Sequence, residues 1–229
     1  RSTVESDAGR LTITTNQLTL TDSIDVTVSS VGNANSGNLA IQTQTLALDN
    51  QAQLIAETEA GIGGNIDLEV TDTLTLNNGS RISASTQDGQ SGTLTINSDR
   101  PPIQSVSLSQ NSALQTQATG TGDSGNLSIN ANQLSVDDSS ISASTLSGIG
   151  GTVTLTGLDT LQLDQSNLST TTQDGQGGNI TIDTTTATLN NSSTIDASTS
   201  GSGDAGTRTR PRGRCCGCPG RTYRGGGCG

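Results

Sequence analysis

The stretch "GGNIDLEVTDTLTLNNGSRISASTQDGQSG" at residues 63–92 decides the fold, because residues 150–178 repeat it as "GGTVTLTGLDTLQLDQSNLSTTTQDGQGG". Its aliphatic residues come in doublets split by one polar residue: Ile66/Leu68, Leu74/Leu76 and Ile82/Ala84. The doublets recur as Leu127/Ile129, Leu134/Val136 and Ile141/Ala143, and again as Val153/Leu155, Leu161/Leu163 and Leu168/Thr170. Alternation at period two turns one side chain inward and the next toward water, which is the pattern of a half-buried strand. Each doublet therefore predicts a short strand, three to a repeat, separated by turns of small polar residues.

Gly followed by Asn or Thr and then an aliphatic residue sets the period. It occurs at Gly37, Gly64, Gly92, Gly125, Gly151 and Gly178, with Gly9 and Gly206 extending the series at either end, at spacings of 28, 27, 28, 33, 26, 27 and 28. A near-constant interval of this size marks a stacked-repeat architecture. The long interval contains "NSDRPPIQ" at 97–104, which reads as a loop carrying the pair Pro101–Pro102. A unit this short cannot bury its inner face alone. Coiling the chain, so that each strand pairs in parallel with its counterpart one turn on, solves this. The reading is an all-β, right-handed, single-stranded parallel β-helix over residues 1–206. It has about seven coils of ~27 residues, begins in mid-coil, and is on the order of 34 Å long. A block of about three coils is duplicated: residues 60–76 align with 147–163, and 37–50 with 125–138.

Corner residues fit this reading. Asp49–Asn50, Asn77–Asn78, Asp137–Asp138, Asp164–Gln165 and Asn190–Asn191 each follow a second doublet. Asn and Asp accept left-handed backbone and bond their own main chain, so Asn50, Asn77, Asp137, Asp164 and Asn190 are expected at one tight corner as a ladder.

Composition limits the alternatives. Leu, Ile and Val make 45 of 229 residues, and Phe, Trp and Met are absent, so order must come from the placement of apolar residues. Residues 1–205 hold all 21 acids against four arginines, which leaves −17 and argues against binding nucleic acid or an anionic membrane. No apolar run is long enough to insert in a membrane.

The pattern G-N-[LI]-x-[LI]…L-x-L-[DN]-N…[IL]-x-A-S-T…G, and above all "TLTLNNGSRISAST" at 73–86, resembles the repeats of secreted exoproteins of the filamentous haemagglutinin type. The cyanobacterial members, exported by two-partner secretion, are the most similar in pattern. The resemblance covers roughly residues 1–206. It implies a right-handed β-helix and export through an outer-membrane two-partner-secretion pore. It also implies a secreted or cell-surface location, with adhesion to surface carbohydrate or to other cells.

Residues 1–9 match the closing segment of a coil, so the chain is expected to be a piece of something longer. After Gly206 the pattern gives way to "TRTRPRGRCCGCPGRTYRGGGCG", with six Arg, the sole Tyr and all four Cys. One Cys215–Cys218 spacing without a second pair or a His is a poor zinc site, and aromatics for stacking bases are scarce. Residues 207–229 are therefore expected to be a disordered tail read in a shifted frame.

Chemistry was sought and set against plain turn roles. Asp137 and Asp164, at equivalent corners of adjacent coils, are spaced like a glycosidase pair, but Asn77 and Asn190 take the same place in other coils. Asp88 and Asp174 in the two "TQDGQ" loops suggest calcium, yet one carboxylate per loop is a thin ligand set. Ice binding would need a flat Thr array, and on the first strand Asp67, Glu69 and Asp183 interrupt it. The expectation is a non-catalytic rod without cofactor or metal, adhesive or structural in role. The alternative is a carbohydrate-active β-helix, whose mark would be a carboxylate cluster in a groove that breaks the repeat. Only residues 97–104, with Asp99 and Arg100, break it.

Overall fold

The computed structural model describes residues 7–98, 100–209 and 214–215. Among these there is no helix, and parallel strands stack in about seven coils of about 28 residues to form a β-solenoid. The repeat alignment read from sequence is the pairing register. The first inward column runs Leu11, Leu39, Ile66, Leu94, Leu127, Val153, Ile180. Between Leu39 and Ile180 none of these is more than 1% exposed. Polar residues alternate with them and face outward, so one aliphatic side chain per pleat, repeated by stacking, makes one continuous core.

The three doublets do not give three separate strands. In five coils the first and second run together as single strands: Leu39–Leu48, Ile66–Leu76, Leu127–Asp137, Val153–Asp164 and Ile180–Asn190. The links between doublets are mostly Thr, Asp, Asn and Gln, so the chain stays extended. It bends instead through register irregularities such as those at Thr43/Thr45 and Asn130/Gln133. The strand is split in two coils, into Leu11–Thr14 and Gln17–Leu20 and into Leu94–Ile96 and Ile103–Leu108. In the second case the prolines intervene, and proline cannot donate to a ladder. Third doublets form a second sheet of short strands, from Asp25–Thr27 to Thr194–Asp196. Each coil then closes through single bridges in the column Thr58, Thr86, Ala118, Thr145, Thr172, Thr199.

Beyond Gly206, Arg208–Thr209 and Arg214–Cys215 pair in parallel with Ile180–Asn190. The rest of the expected tail lies outside the described residues.

The third-doublet column also contains a flaw. Ala56, Ala84, Ala143 and Ala197 point inward there, whereas Thr116 and Thr170 bring hydroxyls. Thr116 Oγ1 donates to the Gly125 carbonyl at 2.9 Å, but Thr170 Oγ1 is buried without a partner. Replacing an unpaired buried hydroxyl by a methyl recovers its desolvation cost. Thr170→Val is therefore expected to stabilise the chain by about 1 kcal/mol, and Thr116→Val to destabilise it, as read from paired thermal melts.

Candidate functional site

The expected coil-turn residues form ladders, and the structure shows what each contributes. The glycines Gly37, Gly64, Gly92, Gly125, Gly151 and Gly178 lie in one column in which the coils approach too closely for a side chain. A Cβ added at Gly125 would sit 1.8 Å from the Gly92 carbonyl oxygen, and one at Gly178 would sit 1.9 Å from that of Gly151. Close approach, rather than left-handed backbone, is thus what requires glycine here. The residue after each glycine explains the Asn/Thr preference. Asn38 Oδ1 accepts the Asn65 N–H at 2.9 Å, Asn65 Oδ1 accepts the Thr93 N–H at 2.9 Å, and Asn126 Oδ1 accepts the Thr152 N–H at 2.9 Å.

At the Asx corner the left-handed residue is the second of each pair. Asn50, Asn78, Asp138, Gln165 and Asn191 have φ of 52°, 52°, 44°, 48° and 46°. Asn50 is the left-handed member of its pair, whereas Asn77, Asp137, Asp164 and Asn190 come just before the left-handed residue; the last three close their strands and Asn77 follows Leu76. Side chains link the corners of adjacent coils: Asn78 Nδ2 donates to Asp49 Oδ1 at 2.7 Å, Asn191 Nδ2 to Asp164 Oδ1 at 2.7 Å, and Ser109 Oγ to Asn77 Oδ1 at 2.7 Å.

Asp137 and Asp164 are register partners, and Asp164 is in turn the partner of Asn190. They belong to a rank of strand ends that also holds Asn77, so their place is the repeat's own. Like charges directly opposite on parallel neighbours repel. Asp137→Asn is therefore expected to raise the urea midpoint slightly, a gain that shrinks as salt is added.

Of the two "TQDGQ" carboxylates, Asp88 is engaged by the backbone of the next coil. Asp88 Oδ1 accepts the Thr121 N–H at 3.0 Å; the Asp174 carboxylate lies close against Gly201, where a Cβ would be 2.2 Å from its Oδ1. The first-strand rank Thr12, Ala40, Asp67, Thr95, Ser128, Thr154, Thr181 is in register and is interrupted by Asp67, as expected.

Three further columns went unrecognised in the sequence. Gly61, Gly89, Gly122, Gly148, Gly175 and Gly203 form a second line of close approach; a Cβ at Gly122 would be 1.7 Å from the Gly89 oxygen. Ser112, Ser139 and Ser166 donate backbone N–H groups to the hydroxyls of Ser139, Ser166 and Ser193 at 3.1, 3.2 and 3.2 Å. A cluster of Ser142, Ser144 and Ser169 hydroxyls spans two coils of the second sheet. Spacing alone could have revealed the glycine column, because Gly89 and Gly175 are 86 residues apart in the duplicated block.

The place where the repeat breaks is built differently. Asn97, at φ 53°, is 4% exposed and sits beside the strand of the preceding coil. Its Oδ1 accepts the Val70 N–H at 2.8 Å and its Nδ2 donates to the Val70 carbonyl at 2.6 Å. The side-chain amide thus pairs both ways, as a strand residue would. From the next coil, Asn130 Nδ2 donates to the carbonyls of Asn97 at 3.1 Å and Arg100 at 2.8 Å. Held from both sides, the insertion stands out as the wall of a recess of about 420 Å³ beside Gln42, Gln44, Glu69 and Thr71. Arg100 spans it to Glu69 at 2.8 Å. Asp99 lies outside the described residues.

Comparisons of the chain with protein-family models, with curated proteins and with solved structures return no match. The fold and this recess are therefore what a functional reading has to work from.

Proposed function

We propose that this chain is a non-catalytic rod segment of a secreted or cell-surface, adhesin-like protein of the filamentous haemagglutinin type, exported through an outer-membrane two-partner-secretion pore. The observation that carries the reading is the sameness of the coils. Glycine, Asn, Ser and Asx ladders recur turn after turn, and the carboxylates first suspected of catalysis are members of those ladders. A surface that repeats Thr, Ser, Asn and Gln at each coil suits many weak contacts added through effective concentration.

The competing reading, a carbohydrate-cleaving β-helix, needs an acid and a second carboxylate or a free cationic base in a groove. Among the described residues that line the recess Glu69 is the one carboxylate, and it is bound to Arg100; Arg81 lies 3.7 Å from Glu57 while it donates to Gln53. The experiment is incubation of the full chain with pectin, a β-glucan and a galactan, with new reducing ends and unsaturated ends counted. None above the blank is expected; release from any of them would replace this reading with the enzymatic one.

A further inference from the structure

We propose that the recess at the insertion is a binding site for one ring of a neutral saccharide; this inference rests on the adhesive reading above and names its ligand class. Three observations lead to it.

The first is construction. A loop inserted only to be tolerated needs no ties, yet this one is fastened by Asn97 to the coil before it and by Asn130 to the coil after it. Fixing a wall in this way removes ordering cost from whatever binds against it.

The second is the chemistry of the lining. Gln42 and Glu69 are register partners on adjacent strands, so planar polar groups are stacked about one coil apart. Arg100 reaches across from the insertion, and Thr71 adds a hydroxyl. Planar amide, carboxylate and guanidinium groups each offer two polar atoms side by side, which matches a pair of neighbouring ring hydroxyls. The pyrrolidine faces of Pro101 and Pro102 border the same space and supply an apolar wall for the C–H face of the ring. A volume of about 420 Å³ is in the range of small-ligand sites and leaves room for a sugar ring.

The third is charge. Glu69 and Arg100 are paired across the recess, while the surrounding body is strongly acidic. Sulfated, sialylated or phosphorylated ligands are repelled by that field, and a neutral one is not.

The test titrates the full chain with cellotetraose, mannotetraose and galactotetraose, and with a heparin tetrasaccharide, reading saturation-transfer NMR. It uses wild type, Arg100→Ala, Gln42→Ala and a control at an exposed residue two coils beyond the insertion, Gln162→Ala. Arg100→Ala removes an ion pair whose arginine side chain is 56% exposed, so its melt is expected to stay close to that of wild type. At least one neutral tetrasaccharide is expected to saturate in the millimolar range. Arg100→Ala and Gln42→Ala are expected to weaken it about tenfold or more, while Gln162→Ala has no effect; a lost polar pair commonly costs this much. Binding to the heparin fragment alone, binding unchanged in both recess variants, or no saturation by any neutral sugar would each overturn the proposal. Beads coated with Arg100→Ala that still adhere to a polysaccharide surface would show that only the recess assignment had failed. Loss of adhesion by wild-type beads would show that the adhesive reading had failed with it.

Discussion

Gly125→Ala is expected to disrupt the middle of the rod, at a cost of about 4 kcal/mol or more. The new Cβ would lie 1.8 Å from the Gly92 carbonyl oxygen, and that oxygen is main chain, so it cannot swing aside as a side chain could. Parallel strands are held at roughly 4.8 Å by their hydrogen bonds. Making room means lifting the coil and losing the pairing of Leu127 with Leu94 beside it. In a stack where each repeat contacts only its neighbours, the damage is local but divides the array. For a chain of this length the thermal midpoint is expected to fall by roughly 10 °C, and amide exchange to quicken first on either side of residue 125.

Two controls separate packing from backbone freedom. Gly9 aligns with the same series, yet a Cβ there would meet nothing within 4 Å, so Gly9→Ala is expected to be silent. Gly79 has φ +75° and only Gln51 Cγ at 3.5 Å. Gly79→Ala is therefore expected to cost about 1 kcal/mol, through strain alone. Equal effects at residues 9 and 125 would mean that close approach is not what the glycine column serves.

Asn97 is the second position where a large effect is expected. Asn97→Ala leaves the N–H and carbonyl of Val70 without their partner in a buried place and puts alanine at a φ of 53°. Two stranded backbone groups at about 1–3 kcal/mol each make a total cost of roughly 3–5 kcal/mol. Asn97→Asp is the more informative variant. Its carboxyl group can replace the amide only while protonated, because an ionised carboxylate would face the Val70 and Pro101 carbonyls in a buried site. Burial raises the folded pKa above the unfolded value of about 3.9. The stabilising contact is then fully present below the unfolded pKa and is lost as pH rises through the folded one. The variant is expected to approach wild-type stability in acid and to fall away toward neutral pH. Denaturant midpoints measured across that range check this; a pH-independent deficit would mean that the amide does not bridge Val70.

How much was legible in the sequence depended on whether a feature repeats. The doublets and the glycine interval were enough to predict the parallel pairing, and the aligned residues Leu39, Ile66 and Leu94 are register partners. The insertion at 97–104 was legible as a loop because it lengthened one interval and carried two prolines. Fusion of the first and second doublets was not legible, since Thr, Asp, Asn and Gln fit a turn by composition as well as an extended strand. Which member of each corner pair is left-handed was not legible, because both members are polar and only backbone geometry distinguishes Asn77 from Asn78. Asn97 was hidden for the opposite reason. It occurs once, inside "NSDRPP", where an Asn reads as a loop residue, and its two-way amide exists only when coils are stacked. A recess made from three coils and a non-repeating loop leaves no periodic trace.

On the proposed function, the rod works by presenting the same weak surface many times. Its most direct test places the full chain on beads at a series of densities and measures their retention on a neutral polysaccharide layer under flow. Retention that rises steeply with density and disappears when single copies are presented, with no sugar released from the layer, is the predicted result. Beads that fail to adhere at any density, or a layer that loses soluble sugar as they pass, would contradict it.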